Sequence, residues 1–394
     1  MKKLFEKIIE GVLACSGFVT SITIVLIILF LFSEALGLFN SRVIEEGYVL
    51  ALNKDNKVTE LTPAQIKDVF DEEITNWNEV GGQDMPIRLF RLEDITQYYT
   101  EEELGAAYEH AGVKITELVE RTPGIIAFVP QQFIVRPDSV HLLQDNTISV
   151  KDVFAGGECF PTSTPAAQFG FLPLITGTLW VSLFAILIAL PFGLSVAIYM
   201  SEVANPKVRN LLKPIIELLS GIPSVVYGFF GLIVIVPLIQ KVFDLPVGES
   251  GLAGSIVLAI MALPTIITVT EDAMRNCPRA MREASLALGA SQWQTIYKVV
   301  IPYSVSGITS GVVLGIGRAI GETMAVLMVT GNAAVIPHTI LEPLRTIPAT
   351  IAAELGEAPA GGAHYEALFL LGVVLFFISL LINFTVEAVS ARKR

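Results

Sequence analysis

The residues with the most distinctive chemistry lie inside an apolar stretch, residues 304–331, which reads SVSGITSGVVLGIGRAIGETMAVLMVTG. The stretch is long enough to cross a bilayer as one helix, yet it carries Arg318 and Glu322 near its middle. A guanidinium is a planar, permanently charged set of donors for anionic oxygens. Charged side chains at membrane depth are costly and rarely face lipid. The pair therefore predicts a protein interface or the wall of a watery passage.

Three glycines precede this pair at four-residue intervals, Gly307, Gly311 and Gly315. At 100° per residue, the glycines, Arg318 and Glu322 fall within an arc of roughly 80° on one helix. Glycines with this period let another backbone approach closely. We therefore expect Gly307, Gly311 and Gly315 to form a helix-packing surface on the same side as the charged pair.

Composition indicates a membrane protein with one water-facing part. The chain has 394 residues, of which 53% are hydrophobic and 16% charged, and its mean hydropathy is +0.63. These values exclude an ordinary soluble domain. Residues 33–170 hold 23 acidic and 10 basic side chains, which gives them a net charge of −13. The remainder has a net charge of +1, and the whole chain one of −12. No basic surface suggests nucleic acid, and the cysteines and histidines have no spacing typical of a disulfide framework or a metal site.

Six apolar runs are long enough to span a bilayer: residues 11–32, 171–200, 214–241, 251–270, 304–331 and 365–389. The first run is longer than the core of a typical signal peptide and no cleavage site follows it, so we expect an uncleaved span. Prolines punctuate the later spans and predict kinked helices of a kind that suits transport.

Basic residues in the short loops predict the orientation, because they favour the cytoplasmic side. One side would carry thirteen of them: Lys2, Lys3, Lys7, Lys207, Arg209, Lys213, Arg275, Arg279, Arg282, Lys298, Arg392, Lys393 and Arg394. The other side would carry two, Lys241 and Arg345. We therefore expect both termini in the cytoplasm and the acidic insert, residues 36–168, outside a bacterial or archaeal plasma membrane.

The insert has the patterns of a small α+β domain. TPAQIKDVF predicts a helix capped by Thr62, TEEELGAAYEHAGV predicts a second helix capped by Thr100, and GIIAFV predicts a buried strand. A Gly/Pro-rich linker then returns the chain to the membrane. The expected domains are residues 1–35, a tail and first span; residues 36–168, the insert; and residues 169–394, a five-span core.

The loop at 271–303 contains a helix, a glycine turn and a second amphipathic helix. Glu283, Ala284 and Ser285 are followed by Gly289 six residues after the glutamate, and later by Ile301 and Pro302. Its small residues leave one surface able to dock in a groove of another protein. An ordinary helical hairpin is the simpler interpretation of the small residues alone.

The full spacing resembles the EAA loop of ABC-importer permeases, the helix that couples to a separate ATPase subunit. Residues 220–232, SGIPSVVYGFFGL, and 317–326, GRAIGETMAV, are similar to the phosphate-specific, PstC-type permease. The resemblance covers roughly residues 1–35 and 165–394. It implies an all-α polytopic membrane protein of the six-span, type I importer (MetI-like) fold with a small external α+β insert.

The resemblance also implies roles and partners. Glu283, Ala284, Ser285 and Gly289 would couple to the ATPase, and Arg318, Glu322 and Thr323 would line the substrate pathway, with Glu322 neutralising or orienting Arg318. The expected partners are a second homologous permease, two ATP-binding subunits, an extracytoplasmic phosphate-binding protein, inorganic phosphate and the lipid bilayer. The chain has no phosphate loop of its own, so we expect no enzyme activity, no cofactor, no metal and no nucleic acid.

A second resemblance covers part of the insert. Residues 61–91, with ITNWNEVGG, and 121–130, RTPGIIAFVP, are similar to pieces of phosphate-binding proteins. The family's glycine-rich anion-binding stretch is replaced here by RLEDITQYY, residues 91–99, in which Glu93 and Asp94 would repel phosphate. We therefore expect an insert that docks a partner or caps the pathway, with a sensor domain or a relic as alternatives.

Taken together, these features predict the membrane permease of an ATP-driven phosphate importer. One alternative is a permease for another oxyanion such as sulfate, molybdate or tungstate. A second is a membrane sensor that relays external phosphate status, against which the EAA loop weighs because a sensor would not need it.

Overall fold

The structure, a computed structural model, describes residues 2–45, 47–105, 107–144 and 146–391. Side chains are described for residues 9–388 outside the same gaps, so several side chains of the orientation prediction lie outside the described set: Lys2, Lys3, Lys7, Arg392, Lys393 and Arg394. The chain forms two compact units, one made of residues up to 172 together with 359–367, the other of residues 173–358 together with the chain from 368 onward.

Helices dominate the described residues. In chain order they are α1 (Lys2–Gly37), α2 (Pro63–Phe70), α3 (Ile95–Tyr98), α4 (Glu101–Leu104), α5 (Ala111–Arg121), α6 (Val150–Ala155), α7 (Leu172–Ile198), α8 (Pro206–Ser220), α9 (Ser224–Phe230), α10 (Val236–Phe243), α11 (Gly251–Arg275), α12 (Arg279–Ala287), α13 (Gln292–Thr295), α14 (Ile301–Gly321), α15 (Met324–Val329), α16 (Ile347–Glu354) and α17 (Ala363–Ala391).

Six of the described helical segments are long and apolar enough to cross a membrane, which confirms the predicted number: Ile9–Asn40, Leu172–Val203, Ser224–Phe243, Gly251–Arg275, Gln292–Gly321 and Ala363–Ala388. Three of them contain a π-helical turn, at Tyr199–Val203, Gly231–Ile235 and Ile296–Val300. Such turns are typical of functional regions of membrane helices rather than of regular packing.

The third span differs from its predicted extent of 214–241. The backbone leaves the helix after Ser220 and starts again at Ser224, so α8 is a separate amphipathic helix that begins at Pro206. Pro223 explains the interruption, because a proline disfavours helical backbone at the residue before it and lacks the amide that would continue the helix. Hydropathy misses this break because the apolar run continues across it.

The fourth span, α11, lies at the centre of the second unit. Its residues are the most enclosed of the six spans, and Val257, Leu258 and Met261 pack with residues of neighbouring helices such as Val181 and Val329 in an apolar cluster of that unit. The sequence of α11 alternates small and branched residues, GLAGSIVLAIMALP, and small residues allow helices to approach closely in a membrane protein.

The insert is an α+β fold, as predicted. Its main sheet has the order β2-β3-β1-β4, with β1 (Tyr48–Leu52), β2 (Arg88–Arg91), β3 (Ile125–Pro130) and β4 (His141–Leu142). β3 runs parallel to β2 and antiparallel to β1. Two short antiparallel strands follow, β5 (Cys159–Phe160) and β6 (Gln168–Phe169). The strand predicted from GIIAFV is therefore confirmed as β3, which is buried at four of its six positions.

The two helix predictions in the insert have different outcomes. Thr62 caps α2 as expected: its hydroxyl accepts the Gln65 amide at 3.3 Å and the Gln65 side chain accepts the Thr62 amide at 2.9 Å. Thr100 caps a helix too, but α4 ends after four residues and the chain turns at Gly105, where φ is +85°. A single helix through TEEELGAAYEHAGV is therefore wrong, because this glycine adopts a backbone conformation that ends the helix.

Candidate functional site

Arg318 lies in the last turn of α14 and is half-buried. Among the described residues its guanidinium makes no hydrogen bond or ion pair to a protein group. Tyr227 of α9 is engaged with the chain itself, since its hydroxyl donates to the Leu219 carbonyl at 2.8 Å. A permanently charged guanidinium without a protein partner is free to bind an anion that enters its surroundings.

The fifth span does not continue through Glu322, which corrects the single helix predicted for residues 304–331. Helix α14 ends at Gly321, Glu322 is extended with φ −73° and ψ 134°, and a new helix, α15, begins at Met324. Gly317 and Gly321 weaken helix propensity just before the break. Glu322 is therefore not one helical turn beyond Arg318, and it does not continue the glycine stripe.

The predicted pairing of Glu322 with Arg318 is also wrong in this structure. The Glu322 carboxylate accepts a hydrogen bond from the amide of Ala325 in the first turn of α15 at 3.3 Å. Among the described residues, no hydrogen bond or ion pair joins it to the Arg318 guanidinium. The break leaves backbone groups that need partners, and the side chains at the break supply them: Glu322 binds one amide, and the Thr323 hydroxyl donates to the Gly321 carbonyl at 3.3 Å. The carboxylate thus stabilises the break rather than neutralising the arginine.

Thr323 faces a cavity of about 530 Å³ beside this break. Gly321 and Thr323 contribute one wall; Pro348, Ile351 and Ala352 of α16, with Leu355, Gly356 and Leu375, contribute the rest. The lining is mostly apolar, so Thr323 is one of its few polar groups. Irregular backbone within a membrane-spanning segment is tolerated where it lines a cavity, and Gly321 and Thr323 line this one.

The three glycines of the stripe all lie against α11. A methyl group on Gly307 would overlap the Cβ of Ala273, one on Gly311 would lie 3.1 Å from the Thr270 hydroxyl, and one on Gly315 would lie 2.8 Å from a side-chain carbon of Ile266. Gly317, on the same helix, has no atom within 4 Å of such a methyl group. The close approach of α14 to α11 therefore depends on the absence of side chains along one face.

The coupling-loop residues lie on and just after α12. Glu283 and Ala284 are exposed, while the Ser285 hydroxyl lies 2.9 Å from that of Thr295. Gly289 has φ +85°, a conformation that few residues other than glycine adopt, and it ends the helix with the turn that the spacing predicted. None of the residues of α12 is buried, and Leu288 and Trp293 beside it are 90% and 65% exposed. The loop therefore presents an apolar surface that the described residues of the chain do not cover.

Two ion-paired clusters at the ends of the spans escaped the sequence analysis. In the first, Arg282 of α12 donates to both carboxylate oxygens of Glu202, at 2.8 and 3.2 Å, and to the carbonyls of Cys277 and Met274, at 2.6 and 2.9 Å. In the sequence, Glu202 and Arg282 are recognisable only as charges at the ends of apolar runs. Nothing there indicates that they pair across 80 residues.

In the second cluster, the Glu271 carboxylate of α11 is almost fully buried and accepts from Arg209 and Lys213 of α8, each at 3.0 Å. Arg275 lies 3.7 Å away, and Lys213 also reaches Asp272 at 3.0 Å. Burial tends to lower the pKa of Lys213, but the hydrogen bonds that its ammonium donates to Asp272 and Glu271 outweigh it and raise that pKa. The lysine therefore stays charged and holds α8 against the end of α11.

Residues 91–99, which replace the family's anion-binding stretch, bind to groups of the chain itself. The Asp94 carboxylate accepts the backbone amide of Arg91 at 3.0 Å, and the Arg91 guanidinium donates to the Phe70 carbonyl at 3.1 Å. An amide and a guanidinium that could bind an external anion are thus engaged within the protein. The loss of the phosphate site in the insert stays a prediction.

The six spans, the broken fifth span and the exposed helical loop define a multi-pass membrane transport subunit that docks to other proteins. A family model described as the inner membrane component of binding-protein-dependent transport systems matches residues 189–394, just over half of the chain. The chain belongs to this family. It therefore has the MetI-like permease fold, it is a transporter subunit rather than an enzyme, and it needs separate ATPase and substrate-binding partners.

Individual relatives agree with the family model. The chain is 42% identical over 227 residues to a probable ABC transporter permease protein, YqgH, of Bacillus subtilis (strain 168), covering 58% of this chain and 74% of that one. It is 39% identical over 234 residues to the phosphate transport system permease protein PstC of Mesorhizobium japonicum, covering 55% and 71% respectively. The inward-facing methionine ABC transporter MetNI is similar to 56% of this chain at 19% identity, over 96% of that chain, with a TM-score of 0.44.

The insert has a match of its own. Residues 32–141 match a family model described as a domain of the PBP superfamily. The boundaries of this match enclose the main sheet of the insert up to the start of β4. The chain therefore combines a permease core with a binding-protein-like segment.

Proposed function

We propose that this chain is the permease subunit of an ATP-driven importer of inorganic phosphate and that Arg318 contacts the phosphate during passage. One observation carries the proposal: Arg318 is half-buried in the fifth span and, among the described residues, no protein group pairs with its charge. An unpaired charge in such a place is costly, and functional residues are the usual explanation. The phosphate transport permease of Mesorhizobium japonicum, 39% identical, supports the choice of anion.

The chemistry of the residues around Arg318 fits a transient anion site. Its guanidinium would offer two parallel donors to phosphate oxygens, while the Thr323 hydroxyl, which lines the cavity beside the break, would add a neutral donor by exchanging its bond to the Gly321 carbonyl for one to phosphate. The Glu322 carboxylate lies in the same break and would repel a bound dianion, so phosphate would not be trapped. Broken membrane helices often form substrate sites in transporters, because their free backbone groups become available to the substrate.

Coupling would occur through the exposed surface of α12 and its turn. Glu283, Ala284, Ser285 and Gly289 would dock in a groove of the ATPase, and the apolar side chains of Leu288 and Trp293 would be covered there. In this arrangement the ATPase lies in the cytoplasm, both termini lie on the same side and the insert lies outside. Two ATP-binding subunits and a second homologous permease would complete the importer.

The insert would dock or cap rather than bind phosphate. Its net charge of −13 over residues 33–170 disfavours the attraction of anions, and Asp94 occupies the amide of Arg91. A binding-protein-like surface of this kind is suited to contact the soluble phosphate-binding protein while the latter delivers its ligand.

The test is phosphate uptake by the complete importer in proteoliposomes. We expect Arg318→Gln to reduce uptake at least about a hundredfold, since a charge-assisted bidentate contact is worth roughly 3 kcal/mol, while assembly with the ATPase and basal ATP hydrolysis persist. Arg318→Lys should restore only part of the uptake, because an ammonium cannot form the planar fork.

Lys241→Gln is the matched control, since Lys241 is an exposed cation at the end of α10 and its loss should leave uptake unchanged. Uptake at the wild-type rate in Arg318→Gln would refute the role of Arg318. Stronger competition by sulfate or molybdate than by unlabelled phosphate would refute phosphate as the substrate.

A further inference from the structure

The helix that carries the coupling residues, α12, makes few side-chain hydrogen bonds to other described elements. None of its residues is buried. Its described side-chain hydrogen bonds to other elements are the one between Ser285 and Thr295 and those of Arg282. Arg282 is therefore a specific link between α12 and the membrane helices.

Arg282 connects α12 with the ends of two spans. Its guanidinium forms a two-point contact with Glu202 in the π-helical turn that ends the second span. The same guanidinium donates to the carbonyl of Met274, in the last turn of the fourth span, and to that of Cys277 just beyond. The four hydrogen bonds of Arg282, two to the carboxylate and one to each carbonyl, need four donors; a guanidinium has five and a lysine ammonium only three.

Glu202 extends this network to the start of the fifth span. Its backbone carbonyl accepts from the Gln292 side chain at 3.0 Å, and its carboxylate also accepts the Ser201 hydroxyl at 2.8 Å. Gln292 is the first residue of α13, which leads through a π-helical turn into α14 and so to Arg318. Glu202 and Arg282 thus join the second span, the fourth span, the coupling helix and the beginning of the fifth span.

The ion pair of Glu202 and Arg282 is largely shielded from solvent. The Glu202 side chain is 9% exposed and that of Arg282 is 21% exposed, and a bidentate contact of this kind is stronger than a typical surface ion pair. The turn that contains Glu202 is a π-helical departure from regular helix, and such turns are frequent at functional sites. The contact is therefore firm and lies at a local irregularity of the second span.

We propose that Glu202 and Arg282 are positioning residues that transmit movement of the coupling helix to the second, fourth and fifth spans. This inference rests on the proposed function, because it assumes that an ATPase moves α12. Without the pair, α12 would still present Glu283 and Leu288 to the ATPase, but its movement would no longer be passed on to the spans. ATP would be hydrolysed with little transport.

The test measures phosphate uptake per ATP hydrolysed in proteoliposomes that contain the complete importer. We expect Glu202→Gln and Arg282→Gln each to lower this ratio about tenfold, the effect of losing roughly 1.4 kcal/mol of coupling between groups in contact, with ATP hydrolysis near the wild-type rate. The double variant should lose no more than either single variant, because both changes remove the same link. Arg282→Lys should retain part of the ratio, and Glu217→Gln, an exposed carboxylate on α8, should retain all of it.

A second measurement does not depend on the transported anion. A cysteine in place of Gly317, where an added side chain meets no atom within 4 Å, is labelled with a maleimide in the presence and absence of ATP. We expect ATP to change the labelling rate in the otherwise wild-type chain, and this change to shrink about tenfold with Glu202→Gln. This variant leaves α12 itself unaltered, so the measurement remains usable if Arg282→Gln does not assemble.

The outcomes separate the inference from the proposed function. In one outcome the wild-type importer takes up no phosphate, ATP still changes the labelling rate at position 317, and this change is lost in Glu202→Gln. The proposed substrate is then wrong and the inference stands. If phosphate uptake occurs and the ratio or the labelling change survives in Glu202→Gln, the inference is overturned and the proposed function stands. Additive losses in the double variant would also overturn it, since they would indicate two independent roles.

Discussion

Replacement of Gly307 by alanine should separate two membrane helices. Gly307 of α14 faces Ala273 of α11 so closely that a methyl group on Gly307 would overlap the Ala273 Cβ. A Cβ is fixed by its backbone and cannot rotate away, so one helix must move. At Gly315 the atoms that obstruct a methyl group belong to the branched side chain of Ile266, which has some freedom to adjust.

The magnitude follows from these contacts. Overpacking a close helix contact costs about 1–3 kcal/mol, and we place Gly307→Ala at the upper end because the obstructing atom is a Cβ. Gly315→Ala should lie in the middle of that range. Gly317→Ala should be neutral or stabilising by up to about 1 kcal/mol, since its methyl group meets nothing and alanine favours helix more than glycine does.

The assay is the rate of thermal unfolding of the detergent-solubilised chain, followed by loss of its monodisperse elution. If the whole effect falls on unfolding, a loss of about 1–3 kcal/mol raises this rate by roughly 5- to 150-fold. Gly317→Ala is the matched control on the same helix. Ala273→Gly combined with Gly307→Ala should recover much of the loss, because it moves the methyl group from one helix to the other.

Two results would refute this account of the interface. Equal unfolding rates for Gly307→Ala and Gly317→Ala would mean that α14 and α11 do not approach as closely as the glycine positions indicate. A failure of Ala273→Gly to compensate, with Gly307→Ala strongly destabilised, would mean that the cost arises elsewhere along α14.

Two further predictions concern the insert. Trp77→Phe should destabilise the chain by about 2–4 kcal/mol, because Trp77 is fully buried and its indole donates to the Gly124 carbonyl at 2.8 Å. Faster proteolysis within the insert would report this loss. Trp293→Phe, at a 65% exposed site, is the control and should change little. Phosphate titrated calorimetrically into the purified Arg318→Gln chain should give no saturable heat, since Asp94 occupies the Arg91 amide; a dissociation constant below about 10 µM would contradict the loss of the anion site.

Much of the architecture follows from local sequence. Six spans are found from runs of apolar residues, because a bilayer demands helices of a certain length and their hydropathy is a property of consecutive residues. The α+β character of the insert and the cap at Thr62 follow for a similar reason, since strands, caps and turns depend on residues a few positions apart. The glycine turn of the coupling loop belongs to the same class.

Predictions that depended on helical continuity were less successful. The stripe of Gly307, Gly311 and Gly315 does lie on one face, because α14 is regular over those residues. Glu322 was placed on that face by winding the helix through Gly321, where the chain in fact leaves it. Hydropathy detects no break of two residues inside an apolar run, so a single span of 304–331 was the natural but incorrect expectation.

By itself, the sequence determined the spans, the separate acidic insert, the coupling loop and the residues with unusual chemistry, since each depends on neighbours along the chain. Only the tertiary structure decided which charges meet. Glu322 caps α15, Arg318 has no protein partner for its charge among the described residues, and Arg282 binds Glu202 from 80 residues away. The physical reason is that an ion pair depends on distance in space, and that distance exists only once the helices have packed.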